Sequence, residues 1–197
     1  MTADPLDVVV ILGSTRQGRF GPVVAQWFMR QTRTRDDMHV RLLDLADADL
    51  PSTYPAERND MVTAFVDHIG GADAFVVVTP EYNYGYPAAL KQAIDLPYDE
   101  WRAKPVGFVS YGGMAGGLRA VEQLRQVFAE LHVVTMRDSV SFHMVGGRFD
   151  SDGNPYDPDG CNQAAATMLD QLAWWGNALR MARRADAAPA ADLDAVA

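Results

Sequence analysis

The run Val8-Val9-Val10-Ile11-Leu12 carries no polar residue and leads straight into Gly13-Ser14-Thr15-Arg16-Gln17-Gly18-Arg19. Such an uninterrupted apolar stretch reads as a strand buried on both faces, as in a parallel sheet covered by helices. The turn at its carboxyl end has the chemistry of a phosphate cradle. Gly13 allows close backbone approach, Ser14 and Thr15 bring hydroxyls, and Arg16 and Arg19 bring charged forks. The helix predicted to follow aims its free N–H groups and positive dipole end at the same point. The spacing is neither G-x-x-x-x-G-K-S/T nor G-x-G-x-x-G, which disfavours an NTPase loop and a dinucleotide fingerprint.

The rest of the chain alternates strand and helix. Val23, Val24, Trp27 and Phe28 recur at helical spacing and predict a helix over about 18–32. Met38-His39-Val40-Arg41-Leu42 alternates at period two, as a half-exposed edge strand does. A Pro- and Asp-rich connection over 46–60 leads to a helix stopping at Gly70-Gly71. Residues 74–78 and 105–109 form two further apolar strands. Between them Pro87 is expected at helix position N1, with Leu90, Ala93 and Ile94 on one face. The next helix carries Leu118, Val121, Leu124, Phe128 and Leu131 on its core face. Residues 133–136 make a fifth strand, and 140–142 extend that edge. A last helix over about 161–183 turns Ala165, Met168, Leu169, Leu172, Trp175 and Leu179 inward. One domain is expected over 1–185, with a flexible tail over 186–197.

This pattern predicts an α/β fold, a doubly wound five-stranded parallel sheet with helices on both faces. The alternating second strand belongs at an edge, and the first and third belong inside. That is the flavodoxin-like order 2-1-3-4-5, whose ligand crevice lies at the carboxyl ends of strands one and three. With 197 residues, 48% of them hydrophobic, the chain suits a single core. The net charge of -9 argues against nucleic acid or an anionic membrane as partner, and adds weight to Arg16 and Arg19. A single cysteine, Cys161, excludes an intrachain disulfide and fits a reducing compartment. Neither a signal peptide nor a membrane span is read, so a cytoplasmic location is expected.

Two more loops should meet the first at the crevice. Thr79-Pro80-Glu81-Tyr82-Asn83-Tyr84-Gly85-Tyr86-Pro87 is a rigid aromatic turn that suits a planar ligand. Ser110-Tyr111-Gly112-Gly113-Met114-Ala115-Gly116-Gly117 leaves the backbone bare, so that a ring can lie against main-chain N–H groups. A phosphate loop and two ring-lining loops at one switch point describe a mononucleotide with a flat base, for which FMN is the natural candidate.

Gly-Ser-Thr-Arg-x-Gly-Arg at 13–19, Pro-Glu-Tyr-Asn at 80–83, Leu-Lys-x-Ala-Ile-Asp at 90–95 followed by Trp101, and Ser-Tyr-Gly-Gly-x-x-Gly-Gly-x-Arg-Ala at 110–120 carry a resemblance. Over residues 8 to about 142 the chain resembles the NADPH-dependent FMN reductase family of flavodoxin-like quinone, chromate and azo-dye reductases. The resemblance implies noncovalent FMN, its phosphate held around Ser14, Arg16, Arg19, Phe20 and Gly21. It places the isoalloxazine against Pro80, Glu81, Tyr82 and Asn83, and against Ser110, Tyr111, Gly112 and Gly113. It also implies homodimers or tetramers with the flavin near a subunit interface. Gln92 departs from the asparagine common in the family's Leu-Lys-Asn-Ala-Ile-Asp motif, a change expected to touch helix packing.

With FMN bound, hydride from NAD(P)H would pass through flavin N5 to a small oxidised acceptor: a quinone, free flavin, azo compound or chromate. That chemistry requires no side-chain acid or nucleophile, so no catalytic residue is named. The alternatives are a flavodoxin-type electron-transfer module served by a partner reductase, and a flavin-free α/β protein for a phosphorylated ligand. Arg119 has two readings, a contact to the NADPH 2′-phosphate or a dimer-interface ion pair. Glu81 is expected to brace a loop or subunit contact while its backbone binds. Lys91 and Asp95 are spaced as an i, i+4 surface pair. The acidic loop 150–160 lacks the glutamate of a calcium loop, and the four histidines have no ligand spacing, so no metal is expected. Cys161 stands near a helix start, where the dipole could acidify it, but nothing marks it as a nucleophile.

Overall fold

The apolar runs pair side by side. In the computed structural model, which describes residues 4–187, one parallel sheet contains β1 (Leu6–Leu12), β2 (Met38–Asp44), β3 (Ala74–Pro80), β4 (Pro105–Tyr111), β5 (Val134–Thr135) and β6 (Val140–Phe142). The order β2-β1-β3-β4-β5 is the one read from the sequence. The far edge is split: β5 pairs with Pro105 and Val106 of β4, and β6 with Val109, Ser110 and Tyr111. Residues 140–142 thus continue the edge as a sixth, separate strand.

Helices α1 (Gly21–Thr32), α2 (Asp60–Gly70), α3 (Ala88–Asp95), α4 (Leu118–Glu130) and α5 (Pro158–Ala187) cover both faces. Period-two alternation sorts the β1 side chains between two cores. Val8, Val10 and Leu12 join Val24, Trp27 and Phe28 of α1 and Met168, Leu169 and Leu172 of α5. Val9 and Ile11 join Val62 and Ile69 of α2, Leu90 and Ile94 of α3, and Leu124 and Phe128 of α4. Each such side chain buried contributes about 1.5–3 kcal/mol. Trp101 anchors the second core, donating from Nε1 to the Ile94 carbonyl at 3.0 Å and meeting Phe75 edge-on at 4.6 Å.

Four local expectations are corrected. Pro87 precedes α3 as its N-cap, with ψ 141, and its carbonyl receives the Leu90 and Lys91 amides. Leu118 opens α4 above the sheet and stays exposed. Trp175 also turns outward, because Gly176 takes the inward position: a Cβ there would stand 2.6 Å from Leu6 Cδ1. The last helix runs three residues earlier than expected, starting at Pro158, which suits a first turn. It also takes in Asp186 and Ala187 from the expected tail, whose residues 188–197 lie outside those described.

Candidate functional site

β1 and β3 are neighbours whose following helices cover opposite faces, α1 on one and α3 on the other, so a crevice opens between their carboxyl ends. The Gly13 amide donates to Val78 O at 2.9 Å and ties the first loop to β3. Ser14 is fully buried, with its Oγ 2.8 Å from Tyr82 Oη. Gly18, at φ 65, lets the Arg19 amide close on Arg16 O at 3.2 Å. The amides of Thr15, Gln17, Gly18 and Phe20 then meet no acceptor among the described residues. A loop of donors without acceptors at the start of α1 has the chemistry to receive an anion.

The two arginines of this loop differ. Arg19 Nη2 pairs with Asp44 Oδ2 at 2.5 Å, which compensates its charge, while its Nε is buried without a partner. Arg16 is exposed, has no ion pair among the described residues, and rests 5.9 Å from the Tyr82 ring centroid. The Phe20 ring packs on Phe149 at 5.6 Å, leaving its amide as the group it offers an anion. Gly13 and Gly21 leave room for packed neighbours. A Cβ on Gly13 would stand 3.0 Å from Leu90 Cδ2, and one on Gly21 2.6 Å from Tyr111 Oη.

The second loop holds a tight turn. Tyr82 and Gly85 exchange backbone bonds of 2.8 and 2.9 Å, with Asn83 at φ 48 and Tyr84 at φ 72. Two left-handed central residues define a type I′ turn, unfavourable for tyrosine. Arg119 offsets this, its guanidinium 3.6 Å from the Tyr84 ring centroid. Glu81 holds Arg119 in place: Oε1 lies 2.5 Å from Nη2, and Oε2 accepts the Arg119 amide at 3.2 Å. Glu81 braces a loop, as expected, and Arg119 makes its ion pair within its own chain. The Glu81 amide also donates to Tyr111 O at 3.2 Å, so it is not free for a ligand. The Glu81–Arg119–Tyr84 assembly escaped the sequence because nothing local marks a contact across 38 positions.

In the third loop the glycines divide by role. Gly116 and Gly117 have φ 60 and 89, and a Cβ on Gly117 would stand 2.7 Å from Ser110 Cβ. Ser110 and Ser141 both donate to Gly116 O at 2.9 Å. Gly113 alone of these four opens onto free space, with nothing within 4 Å of a built Cβ. Ser110 is therefore a loop brace rather than a ring contact. Tyr111 points back under α1, where burial, with Tyr82 adding, pushes its phenol above the usual range and its Oη has no partner. The unpaired amides of the first loop and the open face at Gly113 fit a ligand with a phosphate and a flat ring.

A cavity of about 460 Å³ adjoins the phosphate loop at Thr15, walled by Leu45, Leu50, Pro51, Ala88 and Gln92. Gln92 Nε2 is buried without a partner, so this departure from the family pattern stands on a cavity wall, not only in helix packing. Elsewhere, Lys91 and Asp95 pair at 2.5 Å. Asp150 turns its carboxylate onto the amides of Asp152 and Asn154. Among the described residues no group of three His, Cys, Asp or Glu is placed to hold a metal, and no helix is long and apolar enough to cross a membrane. Burial pushes the Cys161 thiol up, with nothing at this helix start marking it as a nucleophile.

The strand order and the crevice at its switch point define a flavodoxin-like fold. The chain belongs to the NADPH-dependent FMN reductase family, whose model it matches over residues 6–146. It is 40% identical over 129 residues to an NAD(P)H-dependent FMN reductase of Schizosaccharomyces pombe, a match spanning 61% of this chain and 64% of that protein. It is 31% identical over 184 residues to an NAD(P)H:quinone oxidoreductase of Solanum tuberosum, covering 86% of this chain and 93% of the relative. In structure it is similar to FerB, a flavoenzyme NAD(P)H:(acceptor) oxidoreductase from Paracoccus denitrificans, with TM-score 0.69, 24% identity, and 88% and 98% of the two chains covered.

Proposed function

We propose that the protein is an NAD(P)H-dependent FMN oxidoreductase that passes hydride from NAD(P)H to a small oxidised acceptor of the quinone, flavin, azo or chromate type. The observation that carries this reading is the convergence of a loop of unpaired amides, an aromatic turn and an open glycine backbone at one switch point. FMN, when bound, supplies the hydride-accepting ring. Arg16 and the free amides from Ser14 through Gly21 would hold its phosphate, with the Ser14 hydroxyl tied to Tyr82 and Arg19 keeping the loop in place through Asp44. Pro80, Tyr82 and Asn83 would wall the ring on one side, and Gly112 and Gly113 on the other. Glu81, Ser110 and Tyr111 would act by holding these walls. No side chain is asked to exchange a proton. The reading includes a homodimer or tetramer in the cytoplasm.

The test is the visible spectrum of purified protein with added FMN, before and after anaerobic NADPH or NADH. A flavin band that survives desalting and bleaches with either nucleotide supports the oxidoreductase. Retained flavin that neither nucleotide bleaches would instead mark an electron carrier. Absence of flavin binding and of NADPH oxidation with excess FMN would overturn the assignment.

A further inference from the structure

A second charged concavity lies at the amino ends of the strands, away from the crevice. Asp73 precedes β3, Lys104 precedes β4, and Arg180, Arg183 and Arg184 come from the end of α5; together with Gly70, Gly71 and Ala72 they line a space of about 260 Å³. Four cations surround the Asp73 carboxylate, with Glu100 beside Gly70 also acting on Lys104, in a chain of net charge -9.

Internal partners account for only part of this charge. Lys104 Nζ donates to Ile69 O and Gly70 O, both at 2.8 Å, and so caps the end of α2. Arg180 donates to Asp4 O at 2.6 Å and Pro5 O at 2.9 Å, and contacts Asp73 at 3.4 Å. Arg183 donates to Ala103 O at 2.6 Å and Asp73 Oδ1 at 2.7 Å. The third Lys104 proton, the Nε groups of Arg180 and Arg183, and the whole Arg184 guanidinium have no acceptor among the described residues. The cations also act on one another. Burial holds Arg183 below its ordinary value, with Arg180 and Arg184 adding, and burial with Arg183 brings the Lys104 amine down to about 8.

We propose that this concavity binds a compact, multiply charged oxyanion of the phosphate type, at a site separate from the FMN crevice. The free Arg184 fork, the Nε groups of Arg180 and Arg183 and one Lys104 proton border one small space and match a tetrahedral anion, which uses donors from several directions. The negative field of the whole chain disfavours anions elsewhere on the surface, so binding here must come from local charge.

The test is calorimetric titration of the FMN-saturated protein with inorganic phosphate, against chloride at matched ionic strength. One saturable site is expected, with Tm raised by about 3–6 °C at ten times its Kd. Arg184→Glu, a change on the exposed end of α5, should weaken phosphate at least about tenfold while FMN is retained. Arg16→Gln should leave phosphate binding intact. No saturable heat, equal affinity in Arg184→Glu, or loss in Arg16→Gln would overturn the site. Arg184 is on α5 and Arg16 in the phosphate loop, so a loss in one variant and not the other separates this site from the crevice whether or not FMN is bound.

Discussion

Ser14 Oγ and Tyr82 Oη stand 2.8 Å apart and join the phosphate loop to the aromatic turn across the β1–β3 crevice. The bond spans 68 positions of sequence and makes the two loops one wall. Tyr82→Phe keeps the ring but removes the bond. FMN affinity is expected to fall about fivefold, the worth of one neutral hydrogen bond near 1 kcal/mol. Ser14→Ala should cost about as much, and the double variant no more than either alone. Fluorescence titration of FMN checks this; fully additive losses would mean the hydroxyls act independently.

The arginines of the first loop should separate by phenotype. Arg16→Gln is expected to weaken FMN by about tenfold or more while leaving riboflavin, which lacks the phosphate, unchanged. Arg19→Gln strands the largely buried Asp44 carboxylate, and should lower stability by about 1–3 kcal/mol. Paired binding titrations and urea melts measure both. An Arg16→Gln variant that lost riboflavin equally would remove the phosphate from the account.

The glycine loop supplies a contrast between two alanines. At Gly117 an added Cβ meets the Tyr111 amide at 2.9 Å, with φ 89, so Gly117→Ala should unfold the loop and lower Tm by several degrees. Gly113→Ala meets nothing, so Tm should hold while FMN binding weakens. Thermal melts of apoprotein beside FMN titrations decide it. Unimpaired FMN binding in Gly113→Ala would take that backbone out of the ring's path.

Lys104 gives a stability signature in alkali. Its amine titrates near 8 in the folded chain, below its ordinary 10.5, chiefly through burial with Arg183 adding. Between those values the unfolded chain binds the proton that the folded chain has released, so this group makes stability rise with pH. Below about 8 both states are protonated and the contribution is level. Urea melts of wild type and Lys104→Met from pH 7 to 10 should show wild type gaining on the variant above pH 8. A constant difference would refute the lowered titration.

The fold was legible because its signals are local. Apolar runs at 8–12, 74–78 and 105–109, and period-two alternation at 38–42, are properties of neighbouring residues and predict strand position directly. Motifs at the strand ends marked the three loops for the same reason. Individual duties within the loops were not legible. Gly13 and Gly113 look alike in sequence, yet one faces Leu90 and the other open space. Arg16 and Arg19 are three positions apart, and only the partner at Asp44 distinguishes them.

The sequence by itself determined the strand order, the crevice and the chemical character of its three loops, since hydrophobic period and turn chemistry are written over a few residues. Tertiary structure alone decided which donors stay free. Asp44 takes Arg19, Glu81 takes Arg119, and Ser110 and Ser141 share the Gly116 carbonyl. It also gathered Lys104 with three arginines of α5 around Asp73. A charge or hydrogen bond is satisfied by whatever lies within about 3 Å in space, and that neighbour stands tens of residues away along the chain.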